Sequence, residues 1–133
     1  MKLMLDSSVV ISYLRGNPAT LTRLLRLNKR DVGISSIVLC EILATRHLGD
    51  RRAADLDQAE LVAKRFTVLA FDSRAAQSAA ALFARHDIQG DRVPVFDGLI
   101  AAHAHSLKVT IAYIDGDFNR FAVKKQLWAG PAT

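Results

Sequence analysis

Met1-Lys2-Leu3-Met4-Leu5-Asp6-Ser7-Ser8-Val9-Val10-Ile11-Ser12-Tyr13-Leu14 is the stretch that decides how the chain folds. A short apolar run stops at a carboxylate, two serines follow, and a second apolar run is closed by Arg15-Gly16-Asn17-Pro18. The pattern predicts a buried strand, an acid at its tip and a helix beginning just beyond it. In an open α/β sheet, ligands bind at the carboxyl ends of the strands. Asp6 is therefore a candidate site residue, and equally a candidate helix cap. This stretch alone does not separate the two.

Outward from it, the strand–helix alternation repeats. Ala19 to Leu27 has helical spacing, with Leu21, Leu24, Leu25 and Leu27 expected to face inward. Val32-Gly33-Ile34 predicts a short strand, and Ser36 an N-cap for a helix running to about Leu48. Glu41 falls in the second turn of that helix, inside the apolar sequence Ile37-Val38-Leu39-Cys40 and Ile42-Leu43-Ala44. A carboxylate so placed needs a partner, because burying an unpaired charge is costly. Gly49 to Arg52 breaks the pattern. A helix is predicted from Ala53 to Phe66 with Leu56, Ala59, Ala63 and Phe66 inward, then a strand at Thr67 to Phe71. Asp72 or Ser73 caps an Ala-rich helix from Arg74 to Arg85. After a loop from His86 to Pro94, Asp97 sits near the first turn of another helix, kept thin by Gly98, Ala101, Ala102 and Ala104. Lys108 to Ile114 predicts a fourth strand, again ending on an acid, Asp115, followed by Gly116-Asp117-Phe118. Phe121 to Trp128 is expected to add a short helical turn and a last edge strand.

The 133 residues fit one domain, 1–133, able to bury roughly two-thirds of its unfolded surface. The 50% hydrophobic content argues against disorder, and no apolar run approaches the ~20 residues of a membrane helix. No basic-then-apolar export signal is visible, so the expected compartment is the cytoplasm. A single cysteine, Cys40, excludes an internal disulfide framework and a cysteine-based zinc site; its apolar neighbours predict a buried structural thiol. Lys and Arg number 18 against 13 Asp and Glu, for a net charge of +5, which suggests a polyanionic partner such as nucleic acid.

Four carboxylates stand out: Asp6 and Asp115 at strand ends, Glu41 and Asp97 on helices in apolar surroundings. A parallel sheet brings its strand tips to one edge, so these acids can converge. Clustered carboxylates repel unless a cation neutralises them, and oxygen-only ligands suit Mg²⁺ or Mn²⁺. Such ions, singly or as a pair ~4 Å apart, activate water and stabilise the leaving oxygen in phosphodiester cleavage. Taking four of the thirteen acids into a pocket leaves nine against 18 basic residues elsewhere, an acidic hole in a basic field.

At this point the sequence resembles the PIN-domain ribonucleases, and specifically the VapC toxins of bacterial toxin–antitoxin pairs, over essentially its whole length. The resemblance is carried by Met4-Leu5-Asp6-Ser7-Ser8, by Ser35-Ser36-Ile37-Val38-Leu39-Cys40-Glu41-Ile42-Leu43, by Phe96-Asp97-Gly98-Leu99-Ile100-Ala101-Ala102-His103-Ala104 and by Asp115-Gly116-Asp117-Phe118, in that order. It implies a PIN-like three-layer α/β/α sandwich with a central, mostly parallel sheet of four to five strands. It implies that Asp6, Glu41, Asp97 and Asp115 are the catalytic acids that bind Mg²⁺ or Mn²⁺, with Ser8 and Asp117 auxiliary. It further implies a metal-dependent endoribonuclease, a VapB-type antitoxin whose C-terminal segment covers the pocket, and a homodimer. The helices near Val9 to Leu14 and Ile37 to Leu48 are the expected contact surfaces. Two positions depart from the family pattern: Ser8 stands where Asn is common, and Tyr113 where Thr or Ser is common.

Rival readings fare less well. A haloacid-dehalogenase-type phosphatase needs an acid where Ser8 stands, and a response-regulator receiver needs an acid pair after its first strand. A PIN-like module that binds RNA or a protein without cutting is the alternative of a different class, and the intact quartet argues against it. His47, His86, His103 and His105 pair with no motif and are read as surface or packing residues. Arg51, Arg52 and Arg92 are loop cations that could meet RNA phosphates.

Overall fold

Leu3, Met4 and Leu5 are apolar without alternation because the strand they form is covered on both faces. This strand, β1 (Leu3–Leu5), pairs in parallel with β2 (Val32–Ser35) on one side and β4 (Thr110–Tyr113) on the other. β3 (Thr67–Leu69) extends the sheet beyond β2, and β5 (Lys125–Leu127) beyond β4, giving the order β3-β2-β1-β4-β5. All four ladders are parallel. The computed structural model describes residues 1–45 and 60–128. The expected break at Gly49 to Arg52 and the first part of the helix from Ala53 lie outside these residues.

Between β1 and β2 run α1 (Ser7–Leu14) and α2 (Pro18–Leu25); between β2 and β3, α3 (Ser36–Thr45) and the helical residues 60–65, α4. α5 (Ser73–Ile88) and α6 (Val95–Leu107) connect β3 to β4. The chain steps outward from β1 to β3, then crosses back to the far side of β1. Parallel crossovers are right-handed, so this reversal puts α5 and α6 on the opposite face from the earlier helices. The result is the expected α/β/α sandwich. It also creates a topological switch point between β1 and β4, where a crevice opens at the strands' carboxyl ends. Leu5 is level with Ile34 and with Ala112, so the chain leaves all three central strands at one edge.

Local capping explains where the helices start. Asn17 accepts from the N–H groups of Ala19 and Thr20 at 3.0 and 3.2 Å, with Pro18 next in line, and Asp72 accepts from Ala75 N–H at 3.0 Å. At α3 the cap is Ser35 rather than Ser36: its hydroxyl accepts from Ile37 N–H at 3.0 Å. The Ser36 hydroxyl instead accepts from Phe71 N–H at 3.0 Å, tying α3 to the chain that leaves β3. The Ser35 hydroxyl also meets Nδ1 of buried His103 at 2.8 Å, so that histidine is a packing residue, as its sequence context suggested.

Four inward assignments are corrected. Cys40 is exposed, because Val38 and Ile42 face the core and Cys40, two residues from each, lies about 200° round the helix. Leu25 is 86% exposed and Leu27, just past the helix, is exposed as well, since the short α2 turns them onto the rim of a groove rather than into the core. Val62, not Ala63, is the buried residue of α4. α5 also continues to Ile88 instead of stopping at Arg85, because His86 is buried and accepts a place in its last turn.

α5 and α6 approach closely at Gly98, directly after Asp97. A Cβ there would lie 2.6 Å from Cε1 and 2.9 Å from Cζ of Phe83. Ordinarily Gly→Ala in a helix gains about 1 kcal/mol. Gly98→Ala is expected to lose about 1 kcal/mol, because overpacking against Phe83 outweighs propensity. In a Phe83→Ala background the same change should stabilise. Thermal unfolding of the four proteins measures both signs, and a stabilising Gly98→Ala in the wild-type background would disprove the close-packing argument.

Candidate active site

A cavity of about 570 Å³ occupies the switch point, with Asp6, Ser7 and Ser8 from the end of β1 on one side and Ile114 to Gly116 from the end of β4 on the other. Asp97 enters it from the first turn of α6. Three of the four expected acids therefore line one cavity. Glu41 approaches from α3 and is close enough to feel the charges of both Asp6 and Asp97.

Asp6 is only 2% exposed, and it is both cap and candidate ligand. Its Oδ2 accepts from Ser8 N–H at 3.1 Å, the capping bond of α1, and from the Ser8 hydroxyl at 2.7 Å. Burial raises its pKa above the ordinary carboxylate range, Asp97 adds to the effect, and the bonds from Ser8 and Ser7 work against it. The same Ser8 hydroxyl accepts from the N–H groups of Ile114 and Asp115 at 3.0 and 3.2 Å. One small side chain thus joins the tip of β1 to the turn after β4, a role the sequence only hinted at.

Glu41 has the most perturbed environment. Burial, then the Asp6 and Asp97 charges, push its carboxyl up to about 7, with a hydrogen bond from Ser7 opposing. Its Oε1 is buried and, among the described residues, has no hydrogen-bond partner. Asp97 accepts from Asp117 N–H at 3.0 Å through Oδ2. Asp115 is exposed, and its Oδ1 accepts from Gly116 N–H at 2.8 Å; Gly116 takes φ +121°, which a side chain rarely allows.

Asp117 is placed differently from a fifth acid facing the cavity. Its carboxylate pairs with Arg120 at 2.7 Å, and what it gives to Asp97 is its backbone N–H. Arg120 also binds Asp91 at 3.0 Å and the Arg92 carbonyl at 2.5 Å, so it fastens the Asp117 turn to the loop ahead of α6. Sequence reasoning missed this residue; its spacing of three from Asp117 was the available signal. The Tyr113 hydroxyl donates to Asn119 at 2.9 Å, and Asp115 is supported by Ser8 in its place. Arg92 is exposed and lines a different cavity from the acids, while Arg51, Arg52 and His47 lie outside the described residues. His86 is buried against Asp91, 3.0 Å away, and no histidine lines the acidic cavity among the described residues.

The donor set fits a hard divalent cation. It is all oxygen, among the described residues it contains a buried oxygen left without a partner, and it holds Glu41 within reach of the charges of Asp6 and Asp97. Among the described residues the acids stand around the cavity without any three closing into a group that could hold an ion unaided. That openness suits a hard divalent cation that keeps several waters and shares its coordination with phosphate oxygens.

Residues 3–124 match the PIN-domain family. The tRNA(fMet)-specific endonuclease VapC of Shigella flexneri is 31% identical over 106 residues, 80% of each chain. Among solved structures, the DNA-bound VapBC of Salmonella typhimurium superposes with a TM-score of 0.89 and 26% identity, covering 97% of this chain and 99% of that one. VapBC2 of Rickettsia felis, bound to a promoter DNA fragment, has the same fold, with a TM-score of 0.85, 20% identity and 96% and 99% coverage.

Glu41 yields a stability test. Its folded-state value of about 7 exceeds the ordinary 4.5, so between those limits the metal-free folded protein holds a proton that the unfolded chain has released. Stability therefore falls as pH rises through that window. Glu41→Gln should flatten this fall and, without metal at pH 8, exceed the wild type by about 1–2 kcal/mol, allowing for partial exposure of the carboxyl. Denaturant unfolding in EDTA at pH 4.5 and pH 8 reads both effects. An unchanged pH slope would count against the raised Glu41 value that burial, with the Asp6 and Asp97 charges, produces.

Proposed function

The chain belongs to the PIN-domain family, among its VapC-type endonucleases, and from that membership we propose that it is the toxin of a type II toxin–antitoxin pair that cuts RNA with a bound Mg²⁺ or Mn²⁺. VapC nucleases of this family depend on a divalent metal in general; the choice of these two ions follows from the all-oxygen donor set. The observation that carries the reading is the unpartnered, buried Oε1 of Glu41 beside Asp6 and Asp97, over a cavity that Asp115 also lines.

Asp6, Glu41, Asp97 and Asp115 would hold the cation. When bound, it supplies an acidified water and offsets charge on the phosphate oxygens. The chain's own groups do the positioning. Ser8 fixes the Asp6 carboxylate and the Asp115 turn together, and the Asp117 N–H orients Asp97. No side chain is assigned as a nucleophile. The Shigella flexneri relative acts on tRNA(fMet), which makes initiator tRNA the first substrate to try.

The partner in this reading is a VapB-type antitoxin. A second cavity of about 420 Å³, between α1, α2 and α4, is lined by Tyr13, Leu21, Leu24 and Phe66 with Leu25 on its rim. It offers an apolar groove for an antitoxin segment, flanked by Lys29 and Arg65. The groove takes in part of the expected α1 surface together with α2 and α4, and the expected α3 surface is not in its lining. A homodimer, and action in the bacterial cytoplasm, belong to the same proposal. Among the described residues, no helix is long and apolar enough to cross a membrane.

Asp6→Asn keeps a side chain able to cap α1. It should retain the fold by circular dichroism yet lose cleavage of total bacterial RNA by at least about 100-fold, an effect equivalent to roughly 3 kcal/mol of barrier. EDTA should abolish wild-type cleavage, and Mg²⁺ or Mn²⁺ should restore it. Full activity in the folded mutant would overturn the mechanism, and RNA binding by the wild type without cleavage would favour the non-cutting alternative.

A further inference from the structure

The acidic cavity does not end at the acids. It continues along α1, where Ile11, Ser12 and Arg15 line it with the helical spacing of one face, and it reaches Asn17 beyond the helix. Arg15 is the cavity's single basic residue among those described. We propose that Arg15 and the Asn17 amide form a phosphodiester-binding subsite at the far end of the catalytic cavity, holding the RNA backbone beside the bond that is cut. The inference rests on the nuclease reading above and gives its substrate track a direction.

Three observations carry it. First, the Arg15 side chain is exposed and makes no hydrogen bond or ion pair with any described residue, although acids line the same cavity. A cation at the carboxyl end of a helix is favourable for dipole reasons alone. That accounts for a charge at the end of α1, but not for its lining this cavity with its donors unspent. Second, the Asn17 oxygen is committed to two α2 N–H groups, so the part of its amide left for a ligand is a donor. The two residues present donors only, as an anion requires.

Third, the subsite is held in shape before anything binds. The Ser12 and Thr20 hydroxyls meet at 2.7 Å across the turn, Asn17 N–H donates to the Ser12 carbonyl at 3.1 Å, and Gly16 takes φ +74° between Arg15 and Asn17. A rise of 1.5 Å per residue puts Arg15 roughly 13 Å along α1 from Asp6. That separation suits a phosphate flanking the scissile one. The cavity is therefore bipolar: carboxylates where a cation and the reacting phosphate meet, and bare donors where the next stretch of backbone passes. Arginine suits the task because its planar fork matches phosphate geometry.

The test is single-turnover cleavage of total bacterial RNA with Mg²⁺, the protein in excess, followed at the sites that the wild type cuts. Arg15→Ala should raise the half-saturating protein concentration about tenfold while the maximal rate stays within about twofold. The slope of log affinity against log salt should fall by about 0.7, as expected for one lost contact to a single strand. Arg15→Lys should recover part of the affinity, since it keeps the charge without the fork. Lys2→Ala, exposed and just before β1 at the sheet edge opposite this cavity, controls for a general loss of positive charge. Melting curves verify that each variant is folded. If the wild type cleaves but Arg15→Ala behaves like the wild type or like Lys2→Ala, the subsite is overturned and the nuclease reading stands. If the wild type cleaves no RNA with Mg²⁺ or Mn²⁺, both are overturned.

Discussion

The Ser8 hydroxyl donates to Asp6 and accepts from the N–H groups of Ile114 and Asp115, contacts that span more than 100 residues of sequence. All of its hydrogen-bonding capacity is used. The arrangement answers a specific difficulty. A parallel sheet whose connections reverse direction leaves a crevice between β1 and β4, and both strand tips need partners there for their freed backbone groups. Ser8 satisfies two of those groups and a buried carboxylate with one atom. An asparagine, common at this position in the family, would reach further; the shorter serine works because β4 closes directly against β1, with Asp6 N–H on the Ala112 carbonyl at 2.9 Å.

Around this clamp the protein accepts a local conflict. Asp6, Glu41 and Asp97 hold like charges within reach of one another, and burial rather than their mutual repulsion is the larger cause of both raised pKa values. The scaffold resists by rigidity. Gly98 admits Phe83 against the turn that carries Asp97, and Arg120 ties the Asp117 turn to the chain ahead of α6. Functional sites commonly keep such unfavourable groups in place, at some expense in stability.

Much of this was legible in the sequence, and for a clear reason. Apolar runs that stop abruptly at Asp6 and Asp115 report a buried parallel strand and its tip at once, so sheet class and candidate acids came from one signal. Glu41 was legible because a charge inside an apolar helix is conspicuous. What stayed hidden depends on facing and on distance. Cys40 sits in as apolar a context as Val38, and only the helix angle separates exposed from buried. Asp117 looked like another acid because sequence shows a carboxylate but not its counter-ion, Arg120. Arg15 read as the end of a helix; its place in the cavity exists only once β1 and β4 are side by side.

The pairing of β1 with β4 also bears on when the protein becomes active during its own synthesis. Asp6 is made more than 100 residues before its neighbour in the sheet, Thr110–Tyr113, and before the Asp115 turn that Ser8 holds. Domains are synthesised at about 5–20 residues per second, so the early strand waits several seconds for its partner. A nascent chain on the ribosome therefore carries three of the four acids with no crevice to gather them. For a ribonuclease surrounded by RNA at its birthplace, that topology works as a timing device: the cutting site can assemble only after β4 and the Asp115 turn have been made.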